Sequence, residues 1–429
     1  MMLKSLKTAA FLMAAVAAVS SGASEWYGAD DGGTAANGVW SSDGKPGWNG
    51  TGVPNGQGAV AYFGSTKKNT VTQDSTTGVT IGSLILNLDP TIANVDLMLN
   101  GASTTALGPV TFDQDGAGPG YAVMSNNAAR VRMQIGTNAP VTLNDDLLMI
   151  NTTPDTYHRT FSISITAKIS GFGNVTIDNQ LDRPDEAPIL LSNSSSDFEG
   201  NVLLRRGCAK AQGNKPYGKA TNTVTLGAEG YGDATLSFEG TSMTFLNPLV
   251  VSKVTNGRMR IFGESISKPS KSGDYAVTLK GGVTLNGDVV FDIPSHAYND
   301  GTIVCPFAET VDSVISGEGG VAKENNGTLV FKKANTYAGG TVLKNGTLSL
   351  ANGSTLGTGG LDVYDGATLE LASDVTVASV SLNGKMQSKG TYAALDSSAG
   401  GAVVKVPWIS GGGLLRALGG KPGMTIVVR

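Results

Sequence analysis

An all-β fold of the parallel solenoid type is what this sequence predicts, and three observations predict it. Short runs alternate apolar with small polar residues, as in "GVTIGSLILNL" (Gly78 to Leu88), "VDLMLNG" (Val95 to Gly101), "FSISITAKISG" (Phe161 to Gly171) and "GVTLNGDVVFDI" (Gly282 to Ile293), and Gly, Asn or Asp bounds each run. That is the signature of strands closed by turns. A turn-plus-strand phrase also recurs, as "NGTLVF" at Asn326, "NGTLSL" at Asn345 and "DGATLEL" at Asp365, setting Leu329, Leu348 and Leu369 at intervals of 19 and 21 residues. A period of this size makes each repeat one supersecondary unit that buries its apolar face only against the next. Finally, 59 of 429 residues are glycine and only 15% are charged, against usual levels of about 7% and about 25%. The competing arrangement is a set of antiparallel hairpins in β-sandwiches, because Asn-Gly and Asp-Gly are also the strongest hairpin signals.

The first element, residues 1–23, reads as a secretory leader. Lys4 and Lys7 precede an apolar run from Ala9 to Val19, and small residues follow that suit cleavage after Ala23. The run is shorter than the roughly 20 residues of a bilayer-spanning helix. The expectation is therefore an exported chain with no transmembrane segment once the leader is gone. The formal charge is −4, and loss of Lys4 and Lys7 makes the mature chain more acidic by two. A nucleic-acid partner is excluded on that balance, since such binding needs concentrated Lys and Arg.

Residues 24–100 follow as a Trp-rich cap and first rungs, 101–314 as a central solenoid and 315–371 as the clearest repeat, with 372–429 as closing rungs and a second cap. Inside the central part, 169–238 is a divergent copy of the later repeat. "ISGFGNVT" at Ile169 matches "ISGEGGVAK" at Ile315, with a third copy, "ISGGGLL", at Ile409. "FEGNVLLRRG" from Phe198 aligns without gaps to "YAGGTVLKNG" from Tyr337, and "GDATLSF" at Gly232 matches "DGATLEL". If each coil is a rung of parallel strands, some twenty residues advance the stack by about 4.8 Å. Leu329, Leu348 and Leu369 then form one interior column, with Phe198 and Tyr337 as equivalent packing residues.

The stretch from Ile315 to Leu371 resembles the autotransporter-associated β-strand repeat, also called the passenger-associated transport repeat. Its "GxG" opening, "NGTL", "NTYAGGT", second "NGTL" and closing "GATLEL" all occur here in order. The segment "VWSSDGKPGWNGTGVPNGQGAVAYFG" followed by "VTIGSLILN" is similar to the start of many exported proteins that carry it. The resemblance implies a bacterial, right-handed parallel β-helix, exported and often displayed at the surface. Autotransporters continue into a membrane barrel. The stretch between Leu371 and the closing "KPGMTIVVR" is too short for one, so self-translocation is not carried over.

Catalytic signatures are scarce. The chain holds two histidines, His158 and His296, and has no HExxH, GxSxG or GxxxxGK[ST]. The expectation is a protein that is not an enzyme and needs no cofactor or metal. The rival is a polysaccharide-binding or polysaccharide-degrading solenoid, and for degradation Arg183, Arg205 and Arg206 are the clustered basic candidates. Asp113 with Asp115, and Asp362 with Asp365, could each begin a calcium site. Ca²⁺ wants six to eight oxygens, however, and solvated turn aspartates are the simpler reading. Trp26, Trp40 and Trp48 could stack on glycan rings, or else cover the raw first rung of the solenoid; Trp408 belongs near the other end. Cys208 and Cys305 could form one disulfide or stay separate buried thiols. The functional expectation is a structural or adhesive protein at the cell surface or in the extracellular space, with the periplasm as the alternative location and glycans or other surface proteins as partners.

Overall fold

A computed structural model describes residues 24–27, 38–41, 47–49, 52–64, 69–87, 97–101, 107–114, 121–127, 132–152, 161–180, 188–239, 242–264, 275–294, 296–297, 304–305 and 307–419. The leader, His158, Arg183 and Asp115 lie outside these residues. The described chain is strand, turn and loop with no helix among the described residues, and most strand pairs are parallel. This arrangement excludes antiparallel sandwiches as its organising principle. Antiparallel pairing is confined to short contacts such as Trp26 with Trp48, His296 with Cys305, and Ser381 with Met386. Two compact units divide the chain, residues 1–200 and 201–429.

In the first unit, successive coils build three ladders. Val79–Ile81, Val110–Phe112, Val141–Leu143 and Ile169–Gly171 form one of them, in register at Val79, Val110, Val141 and Ile169. Ile81, Phe112 and Leu143 are fully buried, while Thr80, Thr111, Thr142 and Ser170 alternate onto the other face in one column. Tyr121–Asn126, Asp146–Asn151 and Val175–Asn179 belong to a second ladder. They stack three interior asparagines, Asn126, Asn151 and Asn179, at the ends of their strands. Asn151 Nδ2 donates to Asn179 Oδ1 at 3.1 Å, and Asn126 Nδ2 to Ser162 O at 3.0 Å. A buried amide needs such partners, and a rung repeat supplies them from the next copy of itself.

In the second unit the ladder carrying the leucines runs through Ser242–Phe245, Tyr275–Leu279, Phe307–Val311, Thr328–Phe331, Gly346–Leu350 and Ala367–Leu371 to Ile409–Ser410. Leu329, Leu348 and Leu369 are in direct register and fully buried. The sequence expectation for this column therefore holds. The twenty-residue period does not extend upstream: Met243, Val277 and Glu309 continue the column at spacings of 34 and 32 residues. Longer loops between the strands of those coils hide the period from a sequence count.

The three "ISGxG" copies share one local geometry. Gly171, Gly317 and Gly411 have φ of 100°, 107° and 85°. A Cβ placed on them would lie 2.1, 2.3 and 2.4 Å from the carbonyl oxygens of Leu143, Leu285 and Leu371 on the preceding rung. The motif marks a corner where the backbone turns left-handed while pressed onto the coil below, which only glycine permits. Phe198 and Tyr337, matched by sequence, are both fully buried.

Candidate functional site

The tryptophans predicted as a glycan platform or a cap are interior. Trp26, Trp40 and Trp48 are at most 1% exposed. They pack edge to face at centroid distances of 5.1 Å (Trp26 and Trp48) and 4.9 Å (Trp40 and Trp48), with Phe63 5.3 Å from Trp48. Trp48 Nε1 donates to Trp40 O at 2.8 Å and Trp40 Nε1 to Pro54 O at 3.2 Å. No ring face is open to a sugar, so the platform reading is corrected. The rings instead fill the interior beside the strand Val60–Phe63.

Of the aspartates weighed as calcium ligands against turn residues, Asp115 lies outside the described residues and the other three accept hydrogen bonds from N–H groups. Asp113 is bound by amides from the coils on either side, accepting from Asn144 Nδ2 at 3.0 Å and from Gln57 Nε2 at 3.3 Å. Asp365 Oδ1 accepts from Asn383 Nδ2 at 3.0 Å, and Asp362 Oδ1 from the amide of Gly384 at 3.1 Å. Carboxylates occupied by N–H donors are turn fasteners, and no group of three metal-ligating side chains forms among the described residues. Arg205 and Arg206 both lie over the Tyr231 ring, at 4.9 and 5.6 Å from its centroid. Cys208 is buried as a thiol rather than as half of a disulfide.

Around Asp365 the structure builds an open pocket of about 290 Å³. It arises where the regular coil is interrupted. After Leu361–Val363 the chain turns through Tyr364 to Gly366 into Ala367–Leu371. In the next coil, Val380–Leu382 is followed by a left-handed pair, Asn383 (φ 50°) and Gly384 (φ 76°). The chain then leaves the stack through Lys385–Met386, Gly390–Ala394 and Val403–Val406, and returns at Pro407 and Trp408 to pair Ile409 with Leu369. The equivalent corner one rung upstream is tightly stacked: a Cβ on Gly346 would lie 2.4 Å from Gly327 O. One on Gly366 would meet nothing within 4 Å. Tyr364, Asp365, Thr368, Asn383, Pro407 and Trp408 line the resulting gap.

Its chemistry is mixed. Tyr364 is 36% exposed, and partial burial, followed by the charge of Asp362 and a hydrogen bond to it, holds its phenol above the usual value. Trp408 packs on Tyr392 with centroids 6.0 Å apart, and its indole N–H has no acceptor among the described residues. Asp365 and Asn383 face each other through two hydrogen bonds, the second from Asp365 N to Asn383 Oδ1 at 3.1 Å. Sequence reasoning placed Trp408 only as end packing. The "NG" at Asn383, so far from the next strand in its ladder, was the available signal of an excursion.

Compared with models of known protein families, with curated proteins and with solved structures, the chain matches none.

A second polar feature lies inside the coil and is closed to ligands. Glu309 is fully buried between Val277 and Leu329, and neither carboxylate oxygen has a partner among the described residues. Burial pushes its pKa up to about 8 against the opposing pull of Lys323. Lys323 is also fully buried, between Phe291 and Leu343. Burial lowers its pKa to about 8 despite Asp292, Glu309 and Glu324. Its Nζ donates to the carbonyls of Asn325, Glu324 and Asn345 at 2.6, 2.7 and 3.2 Å, which satisfies all three ammonium protons. Beside it Arg260 pairs with Asp292 at 3.2 Å and Lys344 with Glu324 at 2.9 Å, and Arg258 also reaches Glu324. Burial alone would raise Glu324, but the hydrogen bond from Lys344 and the charges of Arg258 and Lys344 outweigh it and leave the carboxyl below its ordinary value.

Proposed function

We propose that this is an exported structural or adhesive protein of the autotransporter-associated repeat type, a right-handed β-helix acting at the cell surface or outside the cell, without catalytic activity. The observation that carries the reading is the outer face of the leucine ladder in the second unit. Two adjacent columns there are mostly small or hydroxylated over successive rungs, with Val330 and the closing Glu370 as exceptions in the second. Ala276, Ala308, Thr328, Thr347 and Thr368 form one column, and Thr244, Thr278, Thr310, Val330 and Ser349 the other. The Thr80, Thr111, Thr142 and Ser170 column of the first unit has the same character. Such faces offer many weak polar contacts repeated at rung spacing, which suits multivalent attachment to an extended partner better than one deep small-molecule site.

The test is location. Cells expressing the tagged protein are fractionated and their surface is probed with protease and antibody. A surface or secreted pool supports the reading, and retention of the whole pool in the periplasm or cytoplasm overturns it.

A further inference from the structure

We propose that the pocket between the Tyr364 corner and Trp408 seats one neutral sugar residue of a polysaccharide whose chain continues along the Thr368, Thr347 and Thr328 column. The proposal deepens the adhesive reading and rests on it for the biological setting, but the binding itself is a property of the purified protein.

Three observations carry it. The pocket is a gap beside the excursion between Asn383 and Trp408, at a corner whose equivalent one rung upstream, Gly346, is closed by direct backbone stacking. Two aromatic side chains line it. Tyr364 is partly exposed, and Trp408 contributes to the wall while its indole N–H is buried beneath it with no acceptor among the described residues. An apolar ring with a polar tip matches a pyranose, whose C–H face packs on aromatics while its hydroxyls seek donors and acceptors. Asp365 and Asn383 supply a carboxylate and a carboxamide on adjacent coils, whose remaining lone pairs and N–H can serve neighbouring hydroxyls of one ring.

Charge selects the class. Asp365 is the one charged residue in the lining, with Asp362 hydrogen-bonded just behind it and no Lys or Arg. That field repels phosphates, sulfates and uronates and leaves neutral hexoses or N-acetylhexosamines.

The polymer follows from continuity. Thr368 lines the pocket and is also the last member of a threonine column in register with Thr347 and Thr328. The rungs advance by about 4.8 Å, comparable to the length of one pyranose residue, so a chain lying along the column meets a hydroxyl at each sugar.

The experiment is titration of the purified mature protein with glucose, galactose, mannose and N-acetylglucosamine, and with their β-linked oligomers up to four residues. Trp408 emission and saturation-transfer NMR are the readouts, and choline and galacturonate serve as controls. Ligand concentrations reach about 10 mM, where a weak millimolar ligand still registers. The expected result is binding by at least one neutral sugar that tightens at least tenfold from monomer to tetramer. Asp365→Ala and Trp408→Ala should each weaken it at least tenfold. Asp365→Ala alters an exposed turn, so it serves where Trp408→Ala melts early. Thr347→Lys should remove the gain from chain length. Preference for choline or galacturonate, binding unchanged by Asp365→Ala in a folded protein, or no binding by any neutral sugar on the panel would overturn the proposal. A protein that binds sugar yet never leaves the cell would sink the adhesive reading and leave the pocket assignment standing.

Discussion

Glu309 stands in register with Leu329, one rung apart in the same interior column, and both side chains are fully buried. An ionisable group thus occupies a position that every other described rung of this column gives to an apolar residue: Met243, Val277, Leu329, Leu348, Leu369 and Ile409. Desolvation is the largest influence on it, and Lys323 offers charge without a hydrogen bond to either oxygen. A buried polar group left without a hydrogen-bond partner costs about 1–3 kcal/mol, more if charged, and its removal relieves that cost. Glu309→Leu should therefore raise the urea midpoint of unfolding at pH 8, because Lys323 keeps its three carbonyl acceptors. A lowered midpoint would show that the carboxylate is needed by the ammonium.

The same pair predicts a stability minimum near pH 8. Glu309 has a folded pKa of about 8 against an ordinary 4.5, so the folded state holds its proton more tightly. Its contribution is most favourable at low pH and is lost as pH rises from about 4.5 through 8. Lys323 has a folded pKa of about 8 against 10.5, so between these values the unfolded chain holds more protons and stability rises with pH. Glu309→Gln removes the first limb and leaves the second. Thermal melts of both proteins at pH 5, 8 and 10 check this, and identical pH profiles for the two would contradict it.

How much of this was legible in the sequence depends on period. Leu329, Leu348 and Leu369 could be read because coils of 19 and 21 residues keep the turn phrase intact. Val79, Val110 and Val141, spaced at 31, belong to an equally regular ladder whose loops carry no shared phrase. Strict alternation in "FAETV" already put Glu309 on the face of Phe307 and Val311, but without the register of neighbouring rungs nothing said that this face is interior. The tryptophans show the opposite limit. Trp26, Trp40 and Trp48 are close in sequence, and closeness does not distinguish a buried cluster from an exposed one. The pocket was illegible because it is an absence, the corner left open when the chain departs at Asn383.

Two glycines with similar backbone angles should respond differently to alanine. Gly317 combines φ of 107° with a virtual Cβ 2.3 Å from Leu285 O, whereas Gly366 has φ of 85° and open space. Gly366→Ala bears only the left-handed strain, about 1–2 kcal/mol. Gly317→Ala must also push apart two stacked coils, so its loss should be at least twice as large. Denaturant titration of the two variants decides this, and equal losses would mean that the close approach relaxes freely.

Within the leucine column, Leu348→Ala should destabilise by about 2–5 kcal/mol, the range for a large-to-small change in a packed core. Its neighbours above and below, Leu329 and Leu369, are held by their own strand ladders and cannot close the cavity. Ser349→Ala, one residue along on the outer face, should shift stability by no more than about 0.5 kcal/mol. A comparable loss for both would indicate that the strand's two faces are not divided as the register divides them.

The burial of Trp26, Trp40 and Trp48 also makes a spectroscopic prediction. These three rings are at most 1% exposed, and Trp408 is the remaining tryptophan. Iodide, which quenches only indoles it can touch, should reach Trp408 and leave the others bright. Trp408→Phe should then abolish most quenchable emission while removing only a minority of the total. Trp48, in contact with Trp26, Trp40 and Phe63, anchors the cluster, so Trp48→Ala should cost about 3–5 kcal/mol. It should also make the two surviving rings quenchable, because the hole it leaves opens the cluster to water. If instead Trp48→Ala is stable and sugar binding falls with it, the cluster would be a binding surface after all, and the pocket at Trp408 would lose its claim to the ligand.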